Sequence, residues 1–407
     1  LFLIFMNNQA DPIVYVFDKK TGRVTVGIGE EGSNSRFEII RPTFNPSIQP
    51  VEASLYITTQ CNLNCSYCYI IHYYRNMPPS EVKYLKVEDW ERIIDELYLS
   101  GIRILNFIGG EPLLYKDLPR LIEYAVKRGI IGIELSTNGT ASALSLGKKT
   151  IDLLRELNNK GFNIIINVSL DAPDKSTNDK NRGRFDEVIE GIKQLVKEGF
   201  FVSLASVISK KNYKKIQELV ELAIELKVKH IQINSLIPVN HSQVEDAIID
   251  QGTLSEISKT IEELQYKYAE KIQIINRLVP SPTINMDIFE KYKDNELVYK
   301  SSLVGCGATT REVYIAPDGK LIPCPLFMSI PSMYSKSSVK DVPFRDIWQN
   351  DPAINEFRQY LVKPILSKAC ASCNISNLCR GGCRAMSYFV EGNMASKDPR
   401  CWLSASS

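Results

Sequence analysis

The ten cysteines are the residues of this 407-residue chain best suited to chemistry. Without an export signal, thiols are more naturally metal ligands or catalytic groups than disulfide partners. The cysteines fall into two groups, with 237 cysteine-free residues between them. The first group comprises Cys61, Cys65 and Cys68, and the second comprises Cys306, Cys324, Cys370, Cys373, Cys379, Cys383 and Cys401.

The first group has the spacing C-x3-C-x2-C and follows a β-rich run at 54–58. Three thiolates on one loop cannot complete a tetrahedral zinc site alone, whereas a [4Fe–4S] cluster with three cysteine ligands leaves one iron open to substrate. The alternatives are a zinc loop completed by His72 and plain buried cysteines. The position directly after a strand favours the cluster.

Short β-rich runs alternate with amphipathic helical patterns over the next part of the chain. Such alternation predicts parallel βαβ units, which could form a partial barrel or a doubly wound sheet. In barrels the active site lies at the carboxyl ends of the strands, where polar or glycine-rich residues stand in 109–112, 136–139 and 169–171. The predicted strands are 54–58, 104–108, 131–135, 164–168, 202–206 and 231–235.

At these residues the sequence resembles the radical S-adenosylmethionine (SAM) superfamily. The cysteine loop, with the aromatic Tyr67 before its last cysteine, matches the iron–sulfur motif of that family, and 109–112 (Gly-Gly-Glu-Pro) matches its GGEP motif. The resemblance implies an α/β fold with a partial (β/α)6 TIM-like barrel and a [4Fe–4S] cluster bound with SAM. Reductive cleavage of SAM would then yield a 5′-deoxyadenosyl radical that abstracts hydrogen from a substrate.

The resemblance also implies residues that contact SAM. Two glycines would let the backbone approach the methionine moiety closely, and Glu111 would accept hydrogen bonds from its ammonium group. Arg182 resembles a basic residue that pairs the SAM carboxylate. Ordinary turn or cap roles are the alternatives at these positions. The implied cofactor-binding residues are Tyr67, Gly109, Gly110, Glu111, Ser136, Asn138, Ser169, Asp171 and Arg182.

The second cysteine group resembles the SPASM domain, a C-terminal extension of radical SAM enzymes that holds auxiliary iron–sulfur clusters. Its pattern is C-x12-G-x4-C, then C-x2-C-x5-C-x3-C and a final cysteine, and an Asp-Gly turn before Cys324 predicts a hairpin. A zinc ribbon on the central four cysteines is the alternative, but it leaves three cysteines unexplained. The resemblance implies an outer cluster on Cys370, Cys373, Cys379 and Cys401 and an inner cluster on Cys306, Cys324 and Cys383.

The inner cluster is therefore one cysteine short of four, and its fourth site could be open to substrate, taken by water or filled by a non-cysteine ligand. Pro325 stands where sulfatase-maturating relatives have an aspartate, which counts against that activity. The resemblance implies an oxidoreductase or maturase that oxidises or crosslinks a peptide or protein, with ferredoxin or flavodoxin as electron donor. The alternatives are a small metabolite or cofactor precursor as substrate, and a non-catalytic iron–sulfur electron carrier.

Charge and composition argue against a nucleic-acid-binding protein and a membrane protein. With 49 Lys+Arg against 47 Asp+Glu, the chain has a formal charge of +2, which argues against nucleic-acid binding. Its apolar start is too short for a membrane span of about 20 residues and lacks the features of a secretory signal, so we expect a cytoplasmic protein with no membrane partner. The expected domains are a β-rich extension (1–50), the radical SAM partial barrel (51–240), a helical linker (241–300) and the SPASM domain (301–407).

Overall fold

The N-terminal strands form a small sheet of their own. Three antiparallel strands, β1 (Ile13–Asp18), β2 (Arg23–Ile28) and β3 (Phe37–Ile40), lie in the order β2-β1-β3. These strands lie within the segment expected to be a β-rich extension, and β1 pairs with both β2 and β3. The computed structural model describes residues 13–18, 23–28, 37–40, 48–74, 77–78, 81–278, 306–363, 365–373 and 375–401.

A nine-stranded sheet forms the centre of the described chain, in the order β10-β9-β8-β7-β6-β5-β4-β11-β12. Each neighbouring pair from β10 to β11 is parallel, and β11 pairs antiparallel with β12. The six strands predicted from the sequence are β4 to β9, so the α/β class with a parallel sheet is confirmed. The bounds are β4 (Glu52–Thr58), β5 (Ile104–Gly109), β6 (Gly132–Thr137), β7 (Asn163–Ser169), β8 (Phe201–Ile208), β9 (His230–Ser235), β10 (Gln273–Arg277), β11 (Glu312–Ile315) and β12 (Leu321–Ile322).

Helices connect the parallel strands and cover the sheet. One face of α2 is apolar and buried, and each of its side chains contributes roughly 1.5–3 kcal/mol. This face consists of Trp90, Ile93, Ile94 and Leu97. The helices are α1 (Tyr69–Tyr74), α2 (Val87–Leu99), α3 (Leu118–Arg128), α4 (Ala141–Leu146), α5 (Lys148–Asn159), α6 (Lys175–Asn178), α7 (Phe185–Lys197), α8 (Ile216–Glu225), α9 (Val244–Ala247), α10 (Gln251–Lys267), α11 (Phe344–Asn350), α12 (Pro352–Val362), α13 (Lys368–Ala371), α14 (Ser376–Cys379) and α15 (Arg384–Glu391). None of the described helices has the length and apolarity needed to cross a bilayer.

The sheet extends beyond the strands predicted for it at both edges. Strand β10 lies within the segment expected to be a helical linker, 241–300, where α10 precedes it; residues 279–300 lie outside the described chain. At the other edge the C-terminal hairpin β11–β12 continues the sheet through β4. The cysteine-rich part of the chain is therefore joined to the barrel by backbone hydrogen bonds.

Side chains reinforce this junction. Tyr56 of β4, Ile322 of β12 and Met328 pack in one buried cluster, together with Tyr334. Helix α11 is fixed to the barrel through the Trp348 indole, which donates to the carbonyl of Ile48 at 2.8 Å. The consequence is that the loop after β4 and the hairpin of the cysteine-rich part occupy fixed positions beside each other.

Candidate active site

The first three cysteines lie on the loop that leaves the carboxyl end of β4. All three are free, with Cys65 buried and Cys61 and Cys68 half-buried. Burial, together with the charges of Glu111 and of the neighbouring thiols, raises the pKa of the Cys61 thiol to about 11, although a hydrogen bond from Leu63 lowers it. Iron cations bind such a thiol in its deprotonated form.

The geometry of the loop bears on which centre it can hold. Within the described residues, no three His, Cys, Asp or Glu side chains converge on one point as they would around a single metal ion. A [4Fe–4S] cube takes each thiolate on a separate iron, so its ligands need not converge in this way. The donor set of three thiols therefore fits the cluster that the resemblance implies.

The two glycines after β5 allow close contact between two parts of the backbone. A Cβ on Gly109, whose φ is +154°, would lie 2.2 Å from the carbonyl oxygen of Thr58, and one on Gly110 would lie 2.2 Å from that of Gln60. Gly110 donates its N–H to Thr58 at 2.8 Å, and Glu111 donates to Gln60 at 2.7 Å. The glycines therefore hold β5 against the segment that leads into the cysteine loop, while their expected approach to SAM stays a prediction.

Glu111 is fully buried and joins the ends of β5 and β6. Its Oε1 accepts from Leu113 N at 3.1 Å and Thr137 Oγ1 at 2.8 Å, and its Oε2 accepts from Asn138 N at 2.8 Å. Burial raises the pKa of Glu111 to about 7 in spite of these bonds. A carboxylate offers about four acceptor sites, so one remains for the SAM ammonium group that the resemblance places here.

Tyr67, Asp171 and Arg182 form a buried network behind the cysteine loop. The Arg182 guanidinium lies 3.2 Å from Asp171 Oδ2, and the two side chains are 9% and 1% exposed. The Tyr67 hydroxyl donates to Asp171 and accepts from Arg182, while Val207 N donates to Asp171 at 2.9 Å. Arg182, which the resemblance assigns to the SAM carboxylate, is thus paired within the protein, and the network anchors the loop through Tyr67.

The remaining residues that the resemblance implies for SAM lie at the same edge of the sheet. Ser136 donates its hydroxyl to Asn106 at 3.0 Å, and Asn138 donates its amide to Asn62 at 2.7 Å. Ser169 ends β7 and is half-buried. Asn62 was not selected from the sequence, although its place inside the cysteine loop could have suggested it.

Two cysteines of the second group pack on one apolar cluster, and a third lies just before this cluster in the sequence. Cys324 and Cys383 both pack on the cluster that contains Ala308, and Cys306 precedes that segment and is exposed. Burial raises the pKa of Cys324 well above its ordinary value, and Cys306, Cys383 and Glu312 raise it further. The structure thus brings together the three cysteines that the resemblance assigns to the inner cluster.

The other cysteines gather at a second point. Burial, together with the charges of Cys401, Asp398 and Cys370, raises the pKa of Cys379 to about 12. Cys373 follows α13, which carries Cys370, and is half-buried. These are the four cysteines that the resemblance assigns to the outer cluster, and their role as ligands stays a prediction.

A pair of tyrosines lies between the cysteine loop and the C-terminal hairpin. The hydroxyls of Tyr56 and Tyr69 are 3.0 Å apart, and the rings meet edge to face. Burial raises the pKa of Tyr69, and the thiols of Cys68 and Cys324 raise it further while the bond to Tyr56 lowers it. Tyr69 therefore lies within electrostatic reach of a thiol from each group, a position that the sequence did not reveal.

A cavity of about 170 Å³ opens beside the cysteine loop at the carboxyl ends of β8 and β9. Ser66 and Tyr67 form its wall on the loop side. Gln243 donates to the carbonyl of Ser66 at 3.3 Å and so connects the α9 region with the loop. The other lining residues are Asn181, Val207, Ser209, Lys211, Leu236, Ser242 and Asp246.

Comparisons with known proteins agree with this geometry. The model of the radical SAM superfamily matches residues 55–238, and that of the SPASM iron–sulfur cluster-binding domain matches 306–374. An AdoMet-dependent heme synthase from Methanosarcina barkeri is 27% identical, covering 85% of this chain and 94% of its own length. A PqqA peptide cyclase from Granulibacter bethesdensis is 25% identical, covering 86% of each.

Among solved structures, Streptococcus suis SuiB has the same fold. The TM-score is 0.68 for SuiB bound to its precursor peptide SuiA and 0.69 for SuiB bound to S-adenosylmethionine. The match to the peptide-bound form has 20% identity and covers 92% of this chain and 84% of that one. Radical SAM enzymes bind a [4Fe–4S] cluster and SAM, which together supply a carbon-centred radical. The motifs of this chain, its parallel sheet and the two family matches show that it belongs to the radical SAM superfamily and is an enzyme with a C-terminal SPASM iron–sulfur domain.

Proposed function

We propose that this radical SAM enzyme abstracts hydrogen from a peptide or protein substrate and so oxidises or crosslinks it. Similarity to the peptide cyclase and to SuiB supports a peptide as substrate. The proposal includes the expected domain boundaries, a reducing cytoplasmic compartment and a ferredoxin or flavodoxin as electron donor. The ten free cysteines are consistent with such a compartment.

The pairing of β11 with β4 carries this proposal. It joins the hairpin that precedes Cys324 to the strand that precedes the cysteine loop, and Ile322 of β12 belongs to a cluster on which Cys68 and Tyr69 pack. A substrate held between the two groups could lose hydrogen on one side and pass the remaining electron to the other side. Tyr69 is half-buried in this region, so its side chain would contact or orient the substrate, and the buried Tyr56 would hold it through the bond between their hydroxyls.

The assignment of ligands is part of the proposal. Cys61, Cys65 and Cys68 hold the SAM-binding cluster, and the inner and outer sets named above hold two auxiliary clusters. Near the first cluster, Glu111 and the strand-end residues orient SAM. Arg182 acts mainly by fixing Tyr67 and Asp171, because its guanidinium is already paired and buried.

A second candidate is a tetrapyrrole precursor, which the similarity to the heme synthase favours. One anaerobic assay separates the two. The reconstituted enzyme is supplied with SAM, a reductant and either a small peptide encoded beside it or an iron coproporphyrin, and the products are measured by mass spectrometry. We expect loss of hydrogen from the peptide and no change in the porphyrin.

Cys324→Ala is the informative variant in this assay. It should still form 5′-deoxyadenosine, because the barrel cysteines are intact, but should give no modified peptide. The matched control is Ser332→Ala, an exposed residue of the same domain with no cysteine next to it, which should retain full turnover. Turnover of the porphyrin alone would overturn the peptide proposal.

A further inference from the structure

The inner group of cysteines has an acidic side chain beside it. Glu312 is the first residue of β11 and lies between Cys306 and Cys324 in the sequence. Its N–H donates to the carbonyl of Gly307 at 2.9 Å, and a Cβ on Gly307 would lie only 2.6 Å from Glu312 Oε1. The carboxylate is therefore folded back against the residue that follows the first of the three cysteines.

Contacts on the other side connect Glu312 to the remaining two cysteines. The Tyr314 hydroxyl donates to Glu312 Oε2, and the Tyr314 ring packs on the same apolar cluster as Cys324 and Cys383. The Glu312 carboxylate is thus held between the residue that follows Cys306 and a tyrosine that packs on the same cluster as Cys324 and Cys383.

The C-terminal hairpin brings Glu312 and Cys324 to the same end. Tyr314 pairs with Ile322 and Ile315 pairs with Leu321, so β11 and β12 run antiparallel. Glu312 begins β11 and therefore lies at the end of the hairpin where β12 leads into Cys324.

We propose that Glu312 is the fourth ligand of the inner auxiliary cluster, completing the set of Cys306, Cys324 and Cys383. The inference rests on the ligand sets of the proposed function. Carboxylates ligate iron in proteins, and the bond from Tyr314 to Oε2 leaves Oε1, on the Gly307 side, for the metal. The fourth site is then closed by the protein rather than open to substrate.

The test uses the full-length chain in which Cys61, Cys65 and Cys68 are replaced by Ala, so that only auxiliary clusters remain. In this background the protein should bind about eight irons, four per cube. Its electron paramagnetic resonance spectrum should not change when 2-mercaptoethanol is added. With Glu312→Gln, the same thiol should produce a new spectrum, because an iron site has been opened.

A second variant, Glu312→Cys, distinguishes the loss of an iron ligand from a simple folding defect. It should retain all eight or so irons and lower the midpoint potential of one cluster, since a thiolate donates more electron density to iron than a carboxylate does. Glu391→Gln, an exposed carboxylate at the end of α15, is the matched control and should leave spectrum and potential unchanged.

Two results would overturn the proposal. One is a response of the Glu312-containing protein to thiol that equals the response of Glu312→Gln. The other is a Glu312→Gln spectrum that is unchanged and indifferent to thiol. A separate measurement detects failure of the underlying ligand sets: if Cys324→Ala retains all eight or so irons and an unaltered spectrum, these cysteines hold no cluster.

Discussion

Replacing Gly110 with alanine tests the structural role of the glycine pair. The new Cβ would lie 2.2 Å from the carbonyl oxygen of Gln60, whereas real Cβ contacts are essentially never under 3.0 Å. The two backbone segments must therefore separate by at least about 0.8 Å, the difference between these distances, with an overpacking cost of typically 1–3 kcal/mol. The same movement would stretch the 2.7 Å bond from Glu111 to Gln60 to about 3.5 Å, beyond a useful hydrogen bond.

The expected result is loss of the first cluster, because Gln60 directly precedes Cys61. Iron content after anaerobic reconstitution without SAM should fall by about four atoms per chain, one cube. Gly252→Ala is the matched control: its nearest neighbour would be Asp250 Oδ1 at 3.4 Å, and it should keep its iron and gain roughly 0.4–1 kcal/mol of stability. Full iron with weakened SAM binding in Gly110→Ala would refute this reasoning and assign the glycine to the cofactor instead.

Two further predictions concern buried polar groups. Because burial raises the pKa of Glu111 from 4.5 to about 7, the folded protein binds more protons than the unfolded chain between these pH values. The free energy of unfolding should therefore fall by up to roughly 3 kcal/mol as pH rises through this window, and Glu111→Gln should remove that slope in urea titrations; an unchanged slope would contradict it. Tyr67→Phe removes the hydroxyl that binds Asp171 and Arg182 and should cost about 1–3 kcal/mol and alter the resonance spectrum of the first cluster, whereas the exposed Tyr266→Phe should do neither. Equal melting temperatures and spectra for the two variants would show that the network does not anchor the loop.

The parallel core of the fold could be predicted because its evidence is local. Each of β4 to β9 is a short apolar run followed by a helix with its own periodicity. Strand β10 was missed because its residues are mostly polar and only Ile274 is buried within it. The pairing of β11 with β4 joins residues about 260 positions apart, and no local pattern encodes such a contact.

The candidate site, like the fold, could be predicted from the sequence only in part. The cysteine spacings identify which residues could bind iron, since three thiols within eight positions must share a loop. The partners of Arg182 and the position of Glu312 depend on three-dimensional packing. A buried guanidinium requires a carboxylate nearby, and the sequence contains 47 acidic residues that could serve. Only the fold selects Asp171.

The central claim is that the cysteine loop after β4 supports reductive cleavage of SAM. Its most direct test measures 5′-deoxyadenosine formed by the anaerobically reconstituted protein and by Cys65→Ala, each supplied with SAM and dithionite. We expect steady formation by the unmodified chain and none by Cys65→Ala, although the variant should retain about eight irons in its auxiliary clusters. Equal formation by both proteins would contradict the claim.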